Sequence, residues 1–176
     1  MRTNLSSQIT LNRVSTKYYK PENAVERSVL TRFEKVPTDI YESVDEGVCH
    51  IANEIASKIQ DRQREGKFFV IGAGTGASLR PLYAELVRKH KDEGLSFRNV
   101  VVFNLYEYYP LAPESAGSSF AQLKELFVGQ IDIDKQNVFT IDGSIPQESI
   151  LEYCRLYEQR LMTFGGMDIV LMGIGS

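Results

Sequence analysis

The feature that most constrains the fold is a run of large apolar residues that leads directly into a glycine-rich loop. Residues 68–71 are all apolar, and glycines follow at alternate positions from 72 to 76. An unbroken apolar run is typical of a strand buried on both faces. Beyond Ser78, apolar residues at Leu82, Leu86 and Val87 predict a helix. The chain therefore predicts a strand, a glycine loop and a helix in direct succession.

This order of elements is a common phosphate-binding arrangement. Glycines let the backbone approach an anion closely, and the start of a helix offers free N–H groups and a partial positive charge. The hydroxyl groups of Thr75 and Ser78 suit the oxygens of a small phosphate ester. A tight turn without a ligand would use the same glycines, so both interpretations stay open at this point.

The loop matches the better-known nucleotide motifs poorly. It meets the loosest dinucleotide fingerprint through Gly72, Gly74 and Ala77, but that fingerprint expects an acidic residue about 20 positions further on. The nearest acid at a strand end, Glu107, lies much further along the chain. A Walker-type loop needs Lys followed by Ser or Thr, and the loop lacks that pair. A sugar phosphate is therefore a better candidate ligand than a nucleotide.

The composition argues against several other classes of protein. The 176 residues are 43% hydrophobic and carry a net charge of −3, which fits one globular domain and provides no basic surface for nucleic acid. No apolar run approaches the about 20 residues that span a membrane. Cys49 and Cys154 lack metal-ligand spacing, so we expect a reduced, cytoplasmic protein without a bound metal.

Strands and amphipathic helices alternate along the chain. We predict strands over residues 36–42, 68–71, 99–105, 138–141 and 167–172. Patterns that begin at Ser43, Ser119 and Ser144 mark the starts of three helices. Such alternation predicts an α/β fold in which a parallel sheet carries helices on both faces. We interpret the polar residues 1–35 as an N-terminal extension and residues 36–176 as the domain.

The ends of two predicted strands carry residues of interest. The second buried strand delivers Asn104, Tyr106 and Glu107 at its carboxyl end, which is the edge where open α/β sheets bind ligands. The last strand ends in Gly173 and Gly175, and the helix that should cover it is missing. We therefore expect the domain to be truncated at its C-terminus.

Residues 71–78 and the helix after them resemble the phosphate loop and following helix of the glucosamine-6-phosphate deaminase (isomerase) family. The likeness continues through residues 94–108 and reaches residues 165–175, so that it covers roughly residues 40–176. The 6-phosphogluconolactonases share the fold and the loop, but the end of their second buried strand is less similar to this sequence.

The resemblance implies a Rossmann-like, three-layer fold and the isomerisation of glucosamine 6-phosphate to fructose 6-phosphate with release of ammonia, without an organic cofactor. By position, five loop residues would hold the phosphate: Gly74, Thr75, Gly76, Ala77 and Ser78. Asn104 and Glu107 would shape the site, and Gly173 and Gly175 would open a second catalytic loop. We expect a sugar phosphate as partner, neither nucleic acid nor a membrane, and a homo-oligomer.

The chain departs from the family pattern at two positions. Family members usually have proline where this chain has Gly74, and their catalytic base is an aspartate at the position of Tyr106. A base must be ionised near neutral pH, and the reference pKa is about 3.9 for aspartate and about 10 for tyrosine. Glu107 is the nearest substitute, but if the strand continues this far, its side chain points to the face opposite that of Tyr106. The family's remaining catalytic acids and its histidine follow the position of Gly175 and are absent from this sequence.

Three functions therefore stay open. The first is a glucosamine-6-phosphate deaminase domain that belongs to a longer enzyme. The second is a family member that has lost the chemistry and binds a phosphosugar as a sensor or regulatory domain. The third is a hydrolase similar to the 6-phosphogluconolactonases. The intact loop favours phosphosugar binding, whereas Tyr106 favours the second function over the first.

Overall fold

The computed structural model of the protein describes residues 23–33, 36 and 38–173. The chain divides into two units between Gly47 and Val48. In chain order the helices and strands are α1 (Ala24–Thr31), α2 (Val44–Arg64), β1 (Phe69–Ala73), α3 (Arg80–Glu93), β2 (Val100–Asn104), α4 (Ser119–Leu126), β3 (Val138–Phe139), α5 (Ile150–Thr163) and β4 (Ile169–Leu171). Most of the predicted N-terminal extension lies outside the described residues.

The segment before α2 follows the predictions only in part. The Ser43 side chain accepts a hydrogen bond of 3.1 Å from the N–H group of Glu46, as its capping pattern predicts. The strand predicted over residues 36–42 is wrong, because the residues of this range that the structure describes form no strand. Val36 and Ile40 are exposed, so this run has no apolar face that a sheet could bury.

Four parallel strands form one sheet in the order β3, β2, β1, β4. Ala73, the last residue of β1, is paired with Asn104 of β2 and with Leu171 of β4. Because parallel strands end at the same edge of a sheet, the segments that follow these three strands lie close together. The glycine loop is one of these segments.

Helices cover both faces of the sheet, and the predicted α/β fold is confirmed. One face packs against α2, α3 and α4 in a cluster that includes Ile55, Ile59, Ile71, Leu82, Leu86, Val102 and Leu123. The opposite face is smaller and joins β1, β2 and the α5 region through Val70, Val101, Phe103, Tyr157, Leu161 and Phe164. Successive residues of β1 and β2 alternate between the two clusters, as buried parallel strands require.

The last strand is shorter and less buried than its apolar run predicts. Only residues 169–171 of the predicted 167–172 are in β4, where Leu171 is 6% exposed and Val170 is 48% exposed. β4 pairs with β1 on one side, and among the described residues no strand pairs with its other side. The apolar run therefore predicts the strand correctly but not its place at the edge of the described sheet.

Two helix starts differ from the predicted ones. The cap of α4 is Ser118 rather than Ser119, and its hydroxyl oxygen accepts a backbone hydrogen bond of 3.1 Å. α5 begins at Ile150 after a short 3₁₀ turn, while the Ser144 hydroxyl instead donates a hydrogen bond of 2.6 Å to Asp142. Local patterns locate both helices but not the residues that cap them.

Candidate phosphate site at the glycine loop

The glycine loop joins β1 to α3 through residues 74–76 and a 3₁₀ turn over Ala77–Leu79. Gly76 has φ of 152° and ψ of 163°, a conformation that is essentially restricted to glycine. Within the described part of the chain, the N–H groups of Gly76, Ala77 and Ser78 donate no hydrogen bond. Three successive free N–H groups at the start of a helix are the arrangement that binds anions.

A buried tyrosine holds the loop from the α3 side. The Tyr83 hydroxyl donates a hydrogen bond of 2.5 Å to the carbonyl of Gly74, and its ring stacks on Phe127 at a centroid distance of 5.1 Å. Burial raises the pKa of Tyr83, so this hydroxyl remains a donor. The Gly74 N–H group donates 2.9 Å to the Leu171 carbonyl, which ties the same residue to β4. The first turn of the loop is therefore fixed on both sides.

Tyr106 lies directly on the loop from the other side. Its hydroxyl oxygen accepts a hydrogen bond of 2.8 Å from the Thr75 N–H group and donates to the Thr75 carbonyl. The Thr75 hydroxyl lies 3.2 Å from the same phenol oxygen. The structure thus brings Tyr106 to the predicted phosphate loop, although the two residues are 31 positions apart in the sequence.

Ser119 joins the loop to α4 and was not among the predicted site residues. Its buried hydroxyl lies 2.8 Å from the Thr75 hydroxyl, within hydrogen-bond distance. The capping pattern of the sequence draws attention to Ser119 only as the start of a helix. No local signal relates it to a loop that lies 44 residues earlier.

Glu107 points to the start of α4 rather than to the glycine loop. Its carboxylate accepts hydrogen bonds of 2.6–3.1 Å from the Ser118 hydroxyl and from the N–H groups of Tyr108, Ser119 and Phe120. Burial by itself would raise the pKa of Glu107, but these hydrogen bonds outweigh it and hold the pKa below its usual value. The carboxylate therefore satisfies N–H groups at the first turn of the helix.

We expect Glu107→Gln to destabilise the fold by about 1–3 kcal/mol, because one carboxylate oxygen becomes an amide group that cannot accept these bonds. A carboxylate with a lowered pKa stabilises the folded state above its unfolded pKa of about 4.3, and this stability is lost as the pH falls through the folded value. The free energy of unfolding, measured with urea from pH 3 to pH 7, should fall at low pH in the wild type and should depend less on pH in Glu107→Gln. Glu114→Gln, which changes an exposed carboxylate near Lys124, serves as the control.

Asn104 brings a buried amide to the same edge of the sheet. The residue is 0% exposed, and neither its side-chain oxygen nor its side-chain nitrogen has a hydrogen-bond partner among the described residues. Alternation along β2 places Asn104 on the face of Val102, beside its register partner Ala73. A buried amide without partners costs about 1–3 kcal/mol, so Asn104 has unused capacity for a bound water or ligand.

Of the two glycines that follow β4, the structure describes Gly173 but not Gly175. A Cβ atom on Gly173 would lie 2.8 Å from the Ser78 hydroxyl oxygen, so Gly173 packs closely against the end of the glycine loop. The structure therefore brings Gly173 to the predicted phosphate loop because β4 and β1 are neighbours in the sheet.

The groups around the loop are hydroxyls and N–H groups rather than carboxylates. Among the described residues, no Asp or Glu side chain hydrogen-bonds to residues 74–78. In the same part of the chain, no group of three His, Cys, Asp or Glu side chains is placed to hold a metal ion. The described helices include none that is both long and apolar enough to cross a bilayer. The arrangement suits anion binding, and in the described part of the chain no carboxylate bonds the loop.

Comparison with known proteins agrees with the resemblance in the sequence. Residues 42–176 match the family described as glucosamine-6-phosphate isomerases/6-phosphogluconolactonase. A glucosamine-6-phosphate deaminase-like protein of Bacteroides thetaiotaomicron is 61% identical over 99% of this chain, which spans 26% of that protein. The glucosamine-6-phosphate deaminase of Bacillus velezensis is 38% identical over 71% of this chain, and the match spans 51% of that enzyme.

Solved structures show the same fold. A monomeric glucosamine-6-phosphate deaminase matches 77% of this chain and 54% of its own with a TM-score of 0.70 and 30% identity. The 6-phosphogluconolactonase of Thermotoga maritima matches 73% of this chain and 56% of its own with a TM-score of 0.57 and 23% identity, which supports the fold alone. The chain thus spans about a quarter of the Bacteroides relative and about half of the other three proteins, and it belongs to the glucosamine-6-phosphate isomerase/6-phosphogluconolactonase family.

Proposed function

We propose that the chain binds a hexose 6-phosphate, with glucosamine 6-phosphate as the first candidate, and that its own residues do not deaminate it. The observation that carries this proposal is that the N–H groups of Gly76, Ala77 and Ser78 have no acceptor among the described residues. These donors suit a phosphate dianion, since hydrogen bonds between backbone N–H groups and anions are among the stronger ones in proteins. The Ser78 hydroxyl adds a further donor.

The same geometry argues against deamination by these residues. Isomerisation needs a base that removes a proton from the carbon next to the carbonyl group. The Tyr106 hydroxyl donates a hydrogen bond to the Thr75 carbonyl. The Glu107 carboxylate accepts hydrogen bonds from N–H groups at the start of α4. Neither group is therefore placed to take a proton from a sugar beside the loop. A binding or regulatory role therefore accounts for the described residues better than a deaminase role.

Two alternative functions and two expected properties of the chain remain predictions. A deaminase of which this chain is one part remains an alternative, because the relatives named deaminases are about twice as long as the matched segment. The hydrolase alternative has only the shared fold in its favour. The homo-oligomer and the cytoplasmic location stay predictions, and one matching solved structure is described as a monomeric deaminase.

The proposal is tested by calorimetric titration of the chain with glucosamine 6-phosphate, fructose 6-phosphate and unphosphorylated glucosamine. We expect both phosphates to bind and glucosamine to bind at least about tenfold more weakly, because the phosphate makes the charge-assisted contacts. A parallel assay should detect no ammonia from glucosamine 6-phosphate. Equal binding of glucosamine would contradict the phosphate site, and sustained ammonia release would contradict the binding role.

A further inference from the structure

The contact between Tyr106 and Thr75 uses groups that a ligand would also use. The phenol oxygen accepts a hydrogen bond of 2.8 Å from the Thr75 N–H group, and the phenol hydroxyl donates a hydrogen bond to the Thr75 carbonyl. Thr75 comes directly before the three residues whose N–H groups are free in the described structure. Tyr106 therefore occupies the N–H group of Thr75, which would otherwise be the first of four successive N–H groups available to an anion.

The ring of Tyr106 also depends on a glycine in the loop. A Cβ atom on Gly74 would lie 3.3 Å from the Tyr106 Cε1 atom and 3.6 Å from its hydroxyl oxygen, and 2.9 Å from the Leu171 carbonyl oxygen. The Gly74 N–H group donates to that carbonyl. Gly74 thus allows the ring to lie against the loop while the backbone bonds to β4. Gly74 and Tyr106 form a matched pair.

We propose that Tyr106 is a specificity-determining residue of the glycine-loop site, where its hydroxyl replaces a ligand oxygen at the Thr75 N–H group. This inference rests on the proposed function in one respect, because it assumes that the loop binds an anion. An anion in this loop is then held by the N–H groups of Gly76, Ala77 and Ser78 without that of Thr75. Tyr106 is 40% exposed, so part of the residue remains accessible to solvent beside the loop.

The first test needs no ligand. In residues 74–78 of the wild type, two N–H groups have acceptors in the described structure, those of Gly74 and Thr75. Hydrogen exchange measured by mass spectrometry on overlapping peptides should therefore find two protected amides in the wild type and one in Tyr106→Phe. Exchange at Thr75 should become about tenfold faster. Unchanged protection would overturn the proposed contact.

Two comparisons keep this test specific. Tyr108→Phe removes the hydroxyl of an exposed tyrosine two positions away and should leave both amides protected. Protection across β1 should be equal in all variants, which shows that each of them is folded. Loss of protection at Gly74 as well as Thr75 in Tyr106→Phe would overturn the inference, because it would indicate general loosening of the loop.

The second test measures binding of inorganic phosphate to the same proteins by calorimetry. Removing the phenol oxygen frees the Thr75 N–H group for the anion, so Tyr106→Phe should bind phosphate about tenfold more tightly than the wild type. Equal or weaker binding would overturn the inference, since the hydroxyl would then not compete with the anion. Absence of phosphate binding in every variant would overturn the proposed function and the specificity role together, while the exchange data would still report the contact separately.

Discussion

Valine in place of Gly76 is expected to weaken the binding of glucosamine 6-phosphate at least about 100-fold, a loss of about 2.7 kcal/mol. Gly76 has φ of 152°, and forcing another residue into this region costs about 1–3 kcal/mol. A Cβ atom there would meet no described atom within 4 Å, so the valine side chain would enter open space beside the free N–H groups. A backbone that relaxes from this conformation would turn the N–H groups away from the anion, and the valine side chain would block access to them.

Gly66 offers a matched control for this prediction. It also has a positive φ, 66°, and a Cβ atom on it would likewise meet no described atom within 4 Å. Gly66 lies between α2 and β1, at the amino end of the strand and away from the loop. Gly66→Val should therefore lower the stability by about 1–2 kcal/mol and leave binding unchanged. Calorimetry and thermal unfolding of both variants decide the matter, and full binding by a folded Gly76→Val would refute the loop assignment.

The sheet could be predicted from the sequence because its central strands are apolar on both faces. Unbroken apolar runs in β1 and β2 have few other places in a folded protein than the middle of a parallel sheet. Residues 169–172 are also an unbroken apolar run, but the strand β4 within it lies at the edge of the described sheet. A local pattern reports how apolar a strand is, whereas its neighbours are decided by the topology of the whole chain.

The contacts of the candidate site were harder to predict because they join distant segments. The sequence shows Gly74 and Tyr106 as two separate departures from the family pattern, and the structure places the Tyr106 ring against Gly74. Alternation along a strand does not explain why Glu107 and Tyr106 point in different directions, because β2 ends at Asn104 and both residues lie beyond it. Nor does alternation indicate that Glu107 bonds the start of α4, since that helix begins beyond an irregular loop. The missing information is the path of that loop.

The chemistry of the site leads to the second large prediction. Incorporation of solvent deuterium at carbon 2 of glucosamine 6-phosphate shows that a proton has been removed there, even when no ammonia is released. We expect no uptake above the uncatalysed background with the wild type, because the Tyr106 hydroxyl is engaged with Thr75 and the described residues place no carboxylate on the loop. A correctly placed general base contributes about 10²–10⁴-fold to such a step. Tyr106→Asp should therefore take up deuterium at a rate at least about 100-fold above the uncatalysed background that the wild type shows.

Glu107 decides between this assignment and its strongest competitor. If Glu107 were the base, the wild type would take up deuterium, and Glu107→Gln would abolish the uptake. The hydrogen bonds of Glu107 to Ser118, Ser119 and Phe120 direct its carboxylate to α4 instead, so Glu107→Gln should change stability and have no uptake to remove. Measurements at neutral pH, with folding checked by circular dichroism, separate the two effects. Uptake by the wild type that disappears in Glu107→Gln, in a protein that remains folded, would move the base from the position of Tyr106 to Glu107.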